Sequence, residues 1–169
     1  MTVDATAAPG LVETLPVGRL LALDVGDRRV GAAVCDEGGL LVRPLTVFER
    51  GARAADQARI RRLLQEQRAV GLVVGYPLND DGSAGPQAQQ TARYAQRLAA
   101  VLDVPVMLWD ERLSTFEAEQ RLAAMSRRGR KAIGVDAVAA AVILESFLDH
   151  VKQQQPASPA AQSSSTSTG

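Results

Sequence analysis

The 169 residues carry 19 basic and 19 acidic side chains, and 46% of the chain is apolar. That is one domain's length with enough apolar material for a core, and a net charge of zero excludes binding of polyanions through global charge, so a nucleic-acid partner would need a local basic patch. A single cysteine, Cys35, and a single histidine, His150, exclude an internal disulfide and a Cys/His zinc cage and leave little basis for a Cys–His nucleophile.

Residues 1–17 are small, proline-containing and aperiodic, and 152–169 are polar low complexity; both are expected to be disordered tails around one domain at 18–151. The domain opens with three apolar runs, at 20–25, 29–35 and 40–48. The Gly26-Asp27 connection suits a type II′ turn and the glycine-containing 36–39 loop a longer hairpin, which predicts an antiparallel meander with Cys35 as a small buried side chain. Helical spacing of Ile60, Leu63 and Leu64 predicts a helix over 54–68, and "AVGLVVGYP" reads as a buried strand before the long loop "PLNDDGSAG". A helix over 85–101 with Ala88, Ala92, Ala95 and Leu98 near one face, a strand over 104–109, a helix over 115–125 and a last helix over 135–151 complete the pattern. Strand and helix alternate after the meander, so the expected fold is α/β, a mixed five-stranded sheet flanked by helices. No run is long and apolar enough to span a bilayer and no leader pattern stands at the N-terminus, so a soluble, reduced, cytoplasmic protein is expected.

Three acids stand in unusual places. Asp24 lies inside "LLALDVG", where an unpaired buried carboxylate is costly, so a cation is expected nearby; alternatively the following turn, Arg28 or Arg29 satisfies it. Asp110 and Glu111, in "LWDERLST", follow a strand of the parallel half, the region where open α/β sheets place ligands. Either could instead cap the next helix or pair with Arg112, although Ser114 or Thr115 with Glu117 offers better capping chemistry, and alternation does not choose between the two acids. Asp136 shares a helical stripe with Ala140, Ile143 and Phe147, which puts a carboxylate toward the sheet, though a helix start also favours aspartate. Converging at one edge, three such acids would make a hard-oxygen site for Mg²⁺ or Mn²⁺, suited to phosphodiester chemistry. Arg127, Arg128, Arg130 and Lys131 cluster just before Asp136 and could grip a phosphate backbone, or merely complement the end of the preceding helix.

"LALDVGDRRVG", "VVGYPLNDDGSAGPQA", "LWDERLST" and "GVDAVAAAVILESFLD" together resemble the successive signatures of the YqgF (RuvX) family, RNase H-like proteins assigned to pre-16S rRNA processing and related to Holliday junction resolvases. The resemblance runs from Leu20 to Asp149. It implies a sheet in the order 3-2-1-4-5 with strand 2 antiparallel, and a hydrolase, a divalent-metal nuclease with Asp24, Glu111 and Asp136 as metal ligands; it favours Glu111 over Asp110. It further implies structured RNA as substrate, in 5′-end maturation of pre-16S rRNA within ribosome biogenesis, with ribosomal precursor particles as partners, acting as a monomer or homodimer, and with Arg112 and the basic segment 127–131 positioning phosphates. The family loop usually reads Asn-Met-Asp-Gly, whereas this chain has Asn79-Asp80-Asp81-Gly82, adding a negative charge near the expected substrate entrance. Three alternatives stand beside this reading. The first is a Holliday junction resolvase on branched DNA, which needs two symmetric sites. The second is an actin-like nucleotide-binding module, whose phosphate loop Asp24–Gly31 resembles but whose two-domain closure the length does not accommodate. The third is a non-catalytic RNA-binding protein.

Overall fold

A computed structural model describes residues 10–114, 116–124 and 132–155. The meander forms as β1 (Leu20–Val25), β2 (Arg29–Cys35) and β3 (Val42–Glu49), followed by α1 (Arg53–Gln67), β4 (Gly71–Tyr76), α2 (Pro86–Val101) and β5 (Val106–Asp110). A 3₁₀ turn (Glu111–Leu113), α3 (Phe116–Ala123) and α4 (Val135–Gln154) close the fold. The sheet order is β3-β2-β1-β4-β5, with β2 antiparallel to β1 and β3 and with β4 parallel to both β1 and β5. The expected α/β architecture and strand order are both present.

Side-chain alternation gives the sheet two buried faces, which is why its central strands read as near-continuous apolar runs. Leu21, Leu23, Leu72, Val74 and Val106 pack with Ile60 and Leu64 of α1 and with Tyr94, Ala95 and Leu98 of α2. Leu20, Ala22, Cys35, Val73, Met107 and Trp109 pack instead with Ile143, Leu144, Phe147 and Leu148 of α4. Cys35 is buried as expected, its sulfur accepting the Leu20 N–H at 3.2 Å.

Three local expectations change. The β1–β2 connection spans three residues, 26–28, and Gly26 does not take the positive φ of a type II′ turn; its N–H donates to the Arg29 carbonyl at 2.9 Å and its own carbonyl is held by Arg50 Nη1 at 2.9 Å. Order also extends into the segment assigned to the N-terminal tail: Leu11 bridges Val106, and the Val12 N–H donates to the Val106 carbonyl at 3.0 Å. This segment covers the outer edge of β5, which would otherwise expose unpaired backbone groups. On α2 the buried face holds Thr91 and Tyr94 alongside Ala88, Ala95 and Leu98, while Ala92 is only half-buried.

One row of the sheet is cleared for close approach. Asp24 is level with Gly31 of β2, and the β1–β4 ladder runs to Leu23 and Val74, so its next rung places Asp24 level with Gly75, which pairs with Trp109. A side chain on Gly31 would collide with the backbone carbonyl of Asp136, and one on Gly75 with Ile143 and with Glu111 Oε1, the latter at 2.6 Å. Both glycines are therefore required by neighbours rather than by backbone conformation. Replacing Gly31 by Ala forces the start of α4 off the sheet and is expected to cost about 1–3 kcal/mol of stability, as overpacking of rigid backbone does. Gly38→Ala, whose added carbon would find its nearest neighbour at 3.8 Å, is expected to be near neutral. Urea unfolding of the two variants against wild type checks this.

Candidate metal centre

β1, β5 and α4 each deliver one acid to the end of the sheet where β1, β4 and β5 terminate. Asp24 is the last face-alternating residue of β1 on the α4 side, in line with Leu20 and Ala22. Along β5, Val106 and Leu108 face the α1/α2 layer, so Asp110 continues to that side and Glu111 returns to the α4 side. Glu111 Oε1 then lies over Gly75, beside Asp24. Asp136 sits in the first turn of α4, whose backbone rests on Gly31.

The position of Glu111 relative to α4 is set by a short chain of polar contacts. The buried Trp109 indole N–H reaches Ser146 Oγ at 3.2 Å, and the Ser146 hydroxyl donates to the Leu113 carbonyl at 2.8 Å. Phe147 meets the Trp109 ring edge-on at 5.3 Å, as does His150 at 5.0 Å. One turn of α4 is thus tied to both the strand before Glu111 and the turn that contains it.

Asp110 and Arg112 form a separate structure on the other side. Asp110, only 5% exposed, accepts the Arg112 backbone N–H at 2.9 Å, capping the 3₁₀ turn, and pairs with the Arg112 guanidinium through Nε at 3.1 Å and Nη2 at 2.7 Å. Arg112 Nη1 reaches the Asp80 carbonyl at 3.2 Å, and the guanidinium packs against Gly82. The guanidinium expected to contact phosphate is therefore committed to Asp110 and to the 79–83 loop. That loop is closed on itself by Asn79–Ser83 hydrogen bonds and by Asp81, whose carboxylate accepts from Ser83 and is held below the usual aspartate range by those bonds. In "LWDERLST" Asp110 caps the turn and pairs with Arg112, while its charge still acts on Glu111. Arg127, Arg128, Arg130 and Lys131 lie outside the described residues.

The electrostatics at the remaining acids are unfavourable. Burial, and secondarily the charge of Asp136, push the Asp24 carboxyl up from 3.8 to about 6. Burial, then the charges of Asp24 and Asp110, push Glu111 from 4.5 to about 7. Among the described residues no cation pairs with either; the arginine expected beside Asp24 instead binds Asp136, through Arg29 Nε to Oδ2 at 3.1 Å. Among the described residues no three His, Cys, Asp or Glu side chains already form an ion cage. The donor set nonetheless fits a hard divalent cation: two half-buried, mutually repelling carboxylates without a counter-charge among the described residues, and a third held at the rim by an exposed, displaceable arginine. Sequence reading missed Arg29 as the partner of Asp136 and missed the two glycines; the available signal was a glycine interrupting an apolar strand at the rows beside Asp24.

Both raised carboxyls bind protons more tightly in the folded state. Their stabilising contribution is full below about pH 4 and is lost as pH rises through about 6 to 7. Asp24→Asn is therefore expected to match wild type near pH 4 and to be more stable at pH 8, by about 1–3 kcal/mol after allowance for solvent screening. Added Mg²⁺ or Mn²⁺ should stabilise only wild type at pH 8. Thermal unfolding across this range, with and without the ion, is the check.

With this geometry in hand, residues 18–150 match the family model for RuvX, described as a Holliday junction resolvase. The chain is 42% identical over 138 residues to a protein of Syntrophus aciditrophicus named as a candidate pre-16S rRNA nuclease, covering 81% of this chain and 92% of that one. A relative of the same name from Sphingopyxis alaskensis is 44% identical over 146 residues, covering 85% and 95%. Among solved structures, Thermus thermophilus RuvC in complex with a Holliday junction substrate superposes with a TM-score of 0.56 at 16% identity, over 81% of this chain and 96% of that chain. Thermus thermophilus RuvC in a second structure gives 0.52 at 17% identity, over 80% and 96%, and these two likenesses show the RNase H-like fold. Coverage of nearly the whole domain by the family model and by these relatives shows that the chain belongs to the RuvX family.

Proposed function

We propose that this chain is a divalent-metal-dependent nuclease that hydrolyses phosphodiester bonds in structured RNA, in 5′-end maturation of pre-16S rRNA. The observation that carries this reading is the uncompensated pair Asp24 and Glu111, with Asp136 at its rim, on a chain whose relatives are named for pre-16S rRNA processing. Repulsion inside that pair favours capture of a cation, and hard carboxylate oxygens favour Mg²⁺ or Mn²⁺. When bound, the ion supplies charge stabilisation at the phosphoryl group and activation of the attacking water.

The protein's own contributions follow from position. Asp24 and Glu111 hold their carboxylates at the end of the sheet beside Ile143, whose apolar side chain limits water there and strengthens their interaction with an arriving cation. Arg29, which holds Asp136 at the rim, would be the group to meet a phosphate oxygen there if Asp136 were to serve an ion. Arg112 acts at one remove, holding the turn that presents Glu111 and the loop at the entrance. The basic segment 127–131 supplies local positive charge for the backbone. A ribosomal precursor as substrate would be met in the cytoplasm; separately, no helix among the described residues is long and apolar enough to cross a membrane.

A second reading is favoured by the family description itself: the same chemistry applied to branched DNA as a Holliday junction resolvase. Purified wild type incubated with precursor 16S rRNA, single-stranded RNA or four-way junction DNA separates them. The expected result is Mg²⁺- or Mn²⁺-dependent cleavage of the precursor, abolished by chelation and reduced at least about 100-fold by Asp24→Asn, as loss of a principal charge-stabilising group does. Paired symmetric cuts in the junction alone would favour the second reading, and cleavage undiminished by Asp24→Asn would remove Asp24 from the site.

A further inference from the structure

On the face of the sheet opposite α4, the start of α1 and the middle of α2 enclose a cavity of about 230 Å³. Its polar lining is Arg50, Arg53, Asp56, Gln57, Tyr94 and Arg97. Sequence periodicity marks none of these, since Asp56 falls in a polar stretch of α1, yet it is only 6% exposed. Its carboxylate is already engaged: Oδ1 accepts the Gly51 N–H at 2.9 Å and Oδ2 lies 3.5 Å from the Tyr94 hydroxyl. Burial and then the charge of Asp56 push the Tyr94 phenol well above its usual range, so it remains a proton donor.

The three arginines are disposed differently. Arg50 is fixed in place, donating to the Gly26 carbonyl at 2.9 Å and lying 5.0 Å over the Tyr94 ring. Among the described residues, neither Arg53 nor Arg97 pairs with a carboxylate. Three guanidinium groups against one carboxylate leave an excess of two positive charges around one concavity in a chain that is neutral overall. Helix α1 also begins beside it without a side-chain cap, Ala52 having none to offer, so the amides of its first turn lack intrahelical acceptors. The volume holds several waters, enough for a tetrahedral oxyanion with its hydration.

The cavity is also coupled to the acidic centre. Gly26, which Arg50 grips, is two residues beyond Asp24, and β1 and β3 deliver both sites to the same end of the sheet. We propose that Arg50, Arg53 and Arg97 form a phosphate site that anchors the nucleic-acid backbone away from the bond being cut, with the strand passing around the Gly26 turn between the two sites. This rests on the nuclease reading for the identity of the strand, though not for the binding of phosphate itself.

The test uses full-length wild type and the double variant Arg53→Gln/Arg97→Gln, with circular dichroism confirming that both fold. Binding of a precursor rRNA fragment is measured without divalent ions across a salt series. The expected result is a 10- to 100-fold loss of affinity in the variant and a fall in the salt slope of about 1–2, as two phosphate contacts would give. Unchanged affinity and slope overturn the proposal. In parallel, inorganic phosphate and a mononucleotide are titrated into ¹⁵N-labelled wild type while the Arg Nε–H signals are followed. Saturable shifts confined to Arg50, Arg53 and Arg97 support the site even if wild type binds no RNA, an outcome that would sink the nuclease reading alone. No shift with phosphate, together with no RNA difference, overturns the pocket; saturation by mononucleotide with no RNA difference assigns it to a free nucleotide and overturns the anchoring role.

Discussion

Asp24 and Glu111 are packed side by side at the end of a sheet covered on both faces, and among the described residues nothing positively charged stands against either. Folding alone gains nothing from this arrangement, since each carboxylate loses water and faces another negative charge. Arg29, on the neighbouring strand, pairs with Asp136 at the rim instead. A repulsion of this kind is retained where binding a cation converts it into attraction. Carboxylates perturbed by burial and by like charge are candidates for a functional site on that physical ground.

The surrounding structure serves to hold that repulsion in place. Gly31 and Gly75 flank Asp24 in the same row of the sheet and admit, respectively, the backbone of Asp136 and the carboxylate of Glu111. Ser146 ties α4 to Trp109 on β5 and to Leu113 in the 3₁₀ turn, which fixes the separation of the two elements that bring Glu111 and Asp136. Asp110 and Arg112 brace the same turn from the opposite face and reach the 79–83 loop. A strand, a braced 3₁₀ turn and a helix thus place the three acids.

Much of this was legible in the residues. Apolar runs and glycine-containing connections marked β1, β2 and β3, and strand–helix alternation marked the parallel half, because a doubly covered sheet writes its strands as short apolar blocks. Asp24 and Asp136 stood out as charges on apolar stripes. Choosing between Asp110 and Glu111 depended on which face β5 offers at its end, and that is fixed by partners on α1, α2 and α4 rather than by local pattern. Long-range pairing likewise hid the partner of Arg112 in the 79–83 loop, the cover that Leu11 gives β5, and the burial of Asp56. The Gly26 turn departed from the hairpin rule because Arg50, 24 residues away, grips its carbonyl. Tertiary contacts of this kind override short-range turn chemistry.

The most direct test of the account is proton release on Mn²⁺ binding, measured calorimetrically in buffers of different ionisation enthalpy. Asp24 and Glu111, titrating at about 6 and about 7, are partly protonated at pH 6 and must give up those protons to bind the ion. Binding at pH 6 should therefore release about one proton or more, falling toward zero at pH 8.5. Mn²⁺ binding with no proton release at pH 6, or no binding at either pH, would contradict a site built on these two carboxylates.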